Sequence, residues 1–361
     1  MGKHAVGRVW LQNYEPGFQP PSHWKWLDVA NLRYWDCLPL RWNVQDLIAQ
    51  GNFVIVAAET QTGKTLFGLF LSQSMLHPGQ LFGRLAITPV DKVLYLGLED
   101  PDRRFKDRLE DIHASFPEIV EDRFIVHIAP GFSLTNPKSL EYLEHLIVAN
   151  GFKVVFLDTY QKATPGLSSF DDEEQSAILH SLSNVTRKHD VTLIVMDHVR
   201  KRDGQQKKRN ALTIDDIKGT GGKAQNADCV ILMERTPDRK QIRFQSFSKD
   251  SDQPVRILLD VAPKGSTEPK FKYAGDLDQL AADAKAKGNA TAAKILATFK
   301  TPEDRLSTSV VAEKTGFSPA TVRRHLAFLV ESEKLDTFGK GRSQKYWLYD
   351  AKSAHTGEMS V

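Results

Sequence analysis

Gly63-Lys64-Thr65 follows directly on the apolar, β-branched run Phe53–Ala57 and leads into Leu66-Phe67-Gly68-Leu69. Strand, loop, Gly-Lys-Thr, helix is the context in which a loop cradles phosphates. Backbone N–H groups from Thr60, Gln61, Thr62, Gly63 and Leu66 would surround the anion at a helix N-terminus. Lys64 would neutralise the β and γ oxygens of a nucleoside triphosphate, and the Thr65 hydroxyl would ligate Mg²⁺. The position where such loops usually begin with glycine is Ala58. If it needs a left-handed backbone, alanine is strained there.

A phosphate loop needs partners on neighbouring strands. Val154-Val155-Phe156-Leu157 ends in Asp158, a carboxylate placed to hold the Mg²⁺ water shell. Val93–Leu98 ends in Glu99-Asp100-Pro101. Ligands bind at the carboxyl ends of parallel strands, so Glu99 is the candidate base for an attacking water. Helix capping by Glu99 or Asp100, ahead of Pro101, is the plainer alternative. Leu193–Met196 ends in Asp197-His198, and His198 could touch the γ-phosphate. The stretch 200–209 then carries Arg200, Lys201, Arg202, Lys207, Lys208 and Arg209 with no apolar residue. It is placed to grip nucleic-acid phosphates in a nucleotide-dependent way, or is simply a solvated charged loop.

The elements that must position these groups read as α/β. The strand candidates are continuous apolar runs, as in a mainly parallel sheet buried on both faces. Helical patterns at Asp100–His113, Leu140–Ala149 and Asp172–His189 lie between them, and Cys229–Met233, Ile242–Ser246 and Val255–Leu259 read as closing strands. Before the core, residues 1–42 form an aromatic-rich arm with five of the six tryptophans. Residues 43–275 form the catalytic domain, 276–290 a linker with room for a short helix, 291–350 a small module and 351–361 a tail.

In that small module Ser318-Pro319 reads as an N-cap and first turn. Val322, Leu326, Leu329 and Val330 make its helix's buried stripe. Leu335–Phe338 and Lys345–Tyr349 flank a Gly-Lys-Gly-Arg turn as a hairpin. Helix, helix, helix, basic hairpin looks like a winged helix, with Arg323, Arg324, Lys340, Arg342 and Lys345 as DNA contacts; a protein-docking winged helix is the alternative. Residues 285–350 hold 12 Lys and Arg against 7 Asp and Glu, within a chain of 361 residues and net charge +3. The basic excess therefore sits in the module, which suggests an anionic partner.

Composition narrows the class further. Hydrophobic residues are 41% and charged residues 26%, which argues against disorder and fibres. No apolar run approaches the roughly 18 residues needed to cross a bilayer. Two cysteines, Cys37 and Cys229, make neither a zinc cluster nor a disulfide framework. With no signal-peptide pattern, a cytoplasmic protein is expected.

Taken in order, Ala58–Thr65, Leu94–Glu99 followed by Asp102-Arg103-Arg104, Val154–Asp158, Asp197-His198-Val199-Arg200-Lys201 and Gly219-Thr220-Gly221-Gly222 through Ala227-Asp228 resemble the RecA-like ATPases. The nearest resemblance is to plasmid RepA-type replicative helicases and their AAA family relatives, over about residues 40–262. It implies a RecA-like fold, ATP and Mg²⁺, and a homo-oligomeric ring, typically hexameric, with nucleotide sites between subunits. It also implies Glu99 as base, Asp158 as acid, His198 as sensor, and Arg108 near the adenine. Two positions depart from the pattern. Relatives usually carry His-His where this chain has Asp197-His198. Related rings insert a Lys-x-Arg pair into the neighbour's site, and here Lys249 is followed by Ser251 in place of the arginine. The expected function is an ATP-hydrolysing helicase, translocase or loader acting on DNA. The alternatives are a nucleotide-gated DNA-binding regulator with slow hydrolysis, and a small-molecule kinase, against which the extra strand carrying Glu99 speaks.

Overall fold

The computed structural model describes residues 39–113, 115–116, 122–168, 172–200, 212–218, 222–301 and 303–349. They divide into two compact units, with the boundary between Gly275 and Asp276. Lys201, Arg202, Lys207, Lys208 and Arg209, and the arm up to residue 38, lie outside the described residues, as does the side chain of Arg342.

The first unit opens with short strands β1 (Trp42–Val44) and β2 (Ile48–Ala49), followed by β3 (Phe53–Ala58) and helix α1 (Lys64–Ser74). Next come β4 (Gly79–Leu81), β5 (Leu85–Ile87), β6 (Val93–Gly97), α2 (Asp102–His113), β7 (Phe124–Ile128) and α3 (Pro137–Asn150). Then follow β8 (Val154–Asp158), α4 (Tyr160–Ala163), α5 (Asp172–His189), β9 (Thr192–His198) and α6 (Gly222–Asn226). The unit closes with β10 (Cys229–Arg235), β11 (Gln241–Ser248), β12 (Arg256–Val261) and β13 (Phe271–Asp276).

Nine strands form one sheet in the order β13-β12-β11-β10-β3-β9-β8-β6-β7. The six from β10 to β7 are parallel to their neighbours, whereas β11 runs antiparallel to β10 and to β12. This is the mainly parallel α/β core that the sequence resemblance implied. The continuous apolar runs are explained by burial on both faces. Val54, Val56 and Ala58 of β3 enter one core with Tyr95 and Phe156, while Phe53, Ile55 and Ala57 enter the other with Leu94 and Leu157. Cys229 is buried at the start of β10, opposite Val54. Two features exceed the sequence expectation: β13, and a second small sheet ordered β2-β1-β5-β4. The strands of the small sheet, two or three residues each, are too short to leave a periodic signal.

The second unit holds α7 (Leu277–Leu296), β14 (Leu306–Ser307), α8 (Thr308–Thr315), α9 (Pro319–Glu331), β15 (Leu335–Phe338) and β16 (Lys345–Leu348). Ile295, Phe299, Val311, Val322, Leu326, Leu329, Leu335 and Tyr346 make its own core. Ser318 caps α9 by accepting from the Thr321 N–H at 3.2 Å. The expected linker, 276–290, carries not a short helix but, after the N-cap Asp276, the first part of the 20-residue helix α7. Alanine and lysine are strong helix formers, and only Ala292 and Ile295, near the other end, are buried.

Candidate nucleotide site

The parallel register brings the ends of β3, β9, β8 and β6 side by side. Ala58 lies opposite His198, Asp158 opposite Met196, and Gly97 opposite Asp158. Four strands therefore deliver the loop 59–63, His198, Asp158 and Glu99 to one edge, as the sequence order implied. The feared strain at Ala58 is absent, because it continues β3. The left-handed positions of the loop are Gln61 (φ 63°) and Gly63 (φ 104°) instead.

Lys64 heads α1 with its ammonium turned back across the loop. It donates to the carbonyls of Ala58 at 3.0 Å and Glu59 at 3.3 Å, and its Nζ lies 3.1 Å from His198 Nδ1. Burial lowers the Lys64 pKa, while the charges of Asp158, Asp197 and Glu99 pull it back up. His198 is also lowered, by burial and then by Lys64, which favours a neutral ring able to accept from that ammonium.

Asp158 is 2% exposed. The Tyr95 hydroxyl donates to its Oδ2 at 2.7 Å, and the Thr65 side chain lies close enough to lower the carboxyl's pKa. Its other oxygen, Oδ1, is buried without a hydrogen-bond partner. Burial raises the Asp158 pKa, and the nearby Thr65 and Tyr95 side chains only partly offset this. An enclosed carboxylate oxygen beside a threonine hydroxyl fits a hard divalent cation, which would restore the buried negative charge. Tyr95 carries no motif of its own. Its role follows only from the pairing of β6 with β8.

Glu99 is exposed at the sheet edge and close enough to bias the charge on Lys64, Asp158 and His198. Asp100, next in sequence, is buried and accepts from Arg104 at 3.1 Å and from Arg108. Burial works against its charge, but the Arg108 and Arg104 hydrogen bonds hold its carboxyl below the usual range. Asp100 thus anchors α2 and leaves Glu99 facing the site. Arg108 is engaged with Asp100 at the same edge.

Asp197, the departure beside His198, forms a buried ion pair with Lys223 of α6 at 2.7 Å. The Lys223 ammonium also sits 4.3 Å from the Tyr160 ring centre. Sequence reading missed Lys223, since 26 residues separate the pair. Lys249 reaches the Gln225 carbonyl at 2.8 Å. Arg200, two residues beyond β9, is exposed, as are Arg323, Arg324, Lys340 and Lys345 in the second unit.

A mainly parallel α/β sheet with a phosphate-type loop between its central strand and first helix defines a P-loop protein. The chain belongs to the AAA domain family, whose pattern it matches over residues 20–204, just over half its length. No curated protein matches the sequence. Among solved structures, it is similar to a DnaB-like replicative helicase described with its interactions with primase. That alignment has 17% identity and a TM-score of 0.47, covering 62% of this chain and 59% of that one. It is also similar to a KaiC-like protein of the hyperthermophilic archaeon Pyrococcus horikoshii, with 13% identity, a TM-score of 0.44, and 65% and 100% coverage. No helix among the described residues is long and apolar enough to cross a membrane.

Proposed function

We propose that this chain is an ATP-hydrolysing DNA-binding protein of the replicative helicase, translocase or loader kind, related to the plasmid RepA-type branch. The observation that carries the reading is the meeting of Lys64, Thr65, Asp158, Glu99 and His198 at the ends of four adjacent strands. Thr65 and Asp158 would hold Mg²⁺, which when bound neutralises charge on the β and γ phosphates. Lys64 offsets the remaining charge on the leaving phosphates. Glu99 accepts a proton from the water that attacks the γ-phosphorus, and the products are ADP and phosphate. His198, already beside the Lys64 ammonium, would register loss of the γ-phosphate and pass it to the basic segment 200–209.

The second unit supports a DNA partner. Its order of helix, short strand, two helices and hairpin supports the winged-helix reading. Arg323 and Arg324 are exposed on α9, and Lys340 and Lys345 on the hairpin. A ring, hexameric by resemblance, would bring Lys249 to a neighbour's nucleotide. One observation favours the slower, regulatory alternative: Lys249 is engaged with the Gln225 carbonyl, and Ser251 stands where the arginine partner is expected.

ATP hydrolysis measured with and without single-stranded DNA tests the reading. DNA-stimulated turnover with strand displacement supports the motor. DNA binding with slow turnover that DNA leaves unchanged supports the regulator. Lys64→Ala should lose tight ATP binding, because the charge opposite the phosphates is gone. Wild-type affinity in that variant would sink the phosphate-loop assignment.

A further inference from the structure

The phosphate loop is gripped from behind by the hairpin joining β10 to β11. Arg235 ends β10, two residues beyond Met233, which lies opposite Ala58. Its Nε donates to the Thr62 carbonyl at 3.1 Å. Arg239, in the turn, donates through Nη2 to the Gln61 carbonyl at 3.3 Å. The two arginines are tied together, since Arg235 Nη1 donates to the Arg239 carbonyl at 2.7 Å. The turn is rigid in its own right: Thr236 Oγ1 donates to Asp238 at 2.6 Å, and Asp238 accepts from the Lys240 N–H at 3.2 Å.

In a planar trans peptide the carbonyl and the N–H point opposite ways. Holding the Thr62 carbonyl outward turns the Gly63 N–H inward. Holding the Gln61 carbonyl outward turns the Thr62 N–H inward, where it meets the Glu59 carbonyl at 3.3 Å. The Thr62 N–H thereby closes the turn, and the Gly63 N–H is the kind that lines an anion-binding concavity. Gln61 is also a non-glycine residue held at φ 63°, a conformation that persists only where surroundings over-determine it. Arg239 is the outside hold on its carbonyl. The two guanidiniums further add fixed positive charge beside a polyphosphate site.

We propose that Arg235 and Arg239 are positioning residues that preset the loop 59–63 for nucleotide phosphates, so that the β10–β11 hairpin sets nucleotide affinity. This rests on the ATP-binding reading above. The test is calorimetric titration of the full chain with ATP and ADP, with steady-state turnover alongside. Arg235→Met should weaken ATP and ADP alike by about tenfold, the loss of one charge-assisted hydrogen bond. Its kcat should change less than its KM. Arg235→Lys should recover part of the affinity. Arg239→Met, at an exposed turn, should weaken binding about threefold and tests the idea even if Arg235→Met folds poorly. Adding Gln61→Gly to Arg239→Met should restore affinity, because glycine needs no outside hold at positive φ. If wild type binds ATP and both methionine variants match it with unchanged melting, the inference is overturned. If wild type itself binds no ATP, the nucleotide reading is what fails.

Discussion

Adjacent carboxylates do opposite work at the tip of β6. Glu99 is exposed and faces Lys64, whereas Asp100 is buried under two arginines. On the proposed role of Glu99, Glu99→Gln should therefore bind ATP normally and lose most turnover, since the water would lose its proton acceptor. Asp100→Asn should keep turnover but cost about 1–3 kcal/mol of stability through weakened charge-assisted hydrogen bonds. Single-turnover assays and urea melts on the two variants separate these effects, and a dead Asp100→Asn beside an active Glu99→Gln would exchange the roles. His198 supplies a pH dependence. Its pKa lies below the ordinary 6.5 in the folded chain, so the unfolded chain binds more protons as pH falls through that range. Its contribution to stability is full above pH 6.5 and is lost as pH drops towards the lowered folded pKa. Thermal melts between pH 7.5 and 5.5 should flatten in His198→Gln; an unchanged slope would place the titration elsewhere. The residues legible in the sequence were those carried by a local pattern, such as Lys64, Thr65 and Asp158. Tyr95, Lys223 and Arg235 were not, because each acts through a partner 26 to 173 residues away that only the folded sheet brings near.

At the scale of elements, α1 must lie close to the sheet for its first turn to serve the loop. Gly68 is where it comes nearest. A Cβ there would fall 2.3 Å from Met196 Cε and 2.9 Å from the Tyr95 hydroxyl. The methionine tip can move, but Tyr95 is held by Asp158. Gly68→Ala should thus tilt the helix and disturb the Asp158 carboxylate, at a cost of about 1–3 kcal/mol. Weaker Mg²⁺-dependent ATP binding together with a lower urea midpoint is the expected result. Wild-type values for both would mean that the contact relaxes freely. The main strands were legible because burial on both faces leaves long apolar runs. The small sheet was not, and α7 was read as a linker because its first half buries almost nothing and so shows no stripe.

Across the whole molecule, the two units have separate cores and opposite chemical emphasis. The basic excess belongs to the second. A chain ending before Asp276 should keep ATP-dependent single-strand binding and lose nucleotide-independent duplex binding. Neutralising Lys207, Lys208 and Arg209 should do the reverse. Each phosphate contact removed should lower the salt slope of log K by about 0.9 on duplex or about 0.7 on single strands. Salt titrations with and without a non-hydrolysable ATP analogue read both surfaces, and full duplex affinity in the shortened chain would make the second unit a protein-docking domain. The position of Cys229 has a practical use of another kind. Burial pushes its thiol up to about 12, and pairing seals it at the start of β10 against Val54 of β3. In a Cys37→Ser background it becomes a silent clock: a thiol reagent can mark it only when the sheet parts. The rate of labelling should then time opening of the strand beside the phosphate loop, and bound nucleotide should slow it.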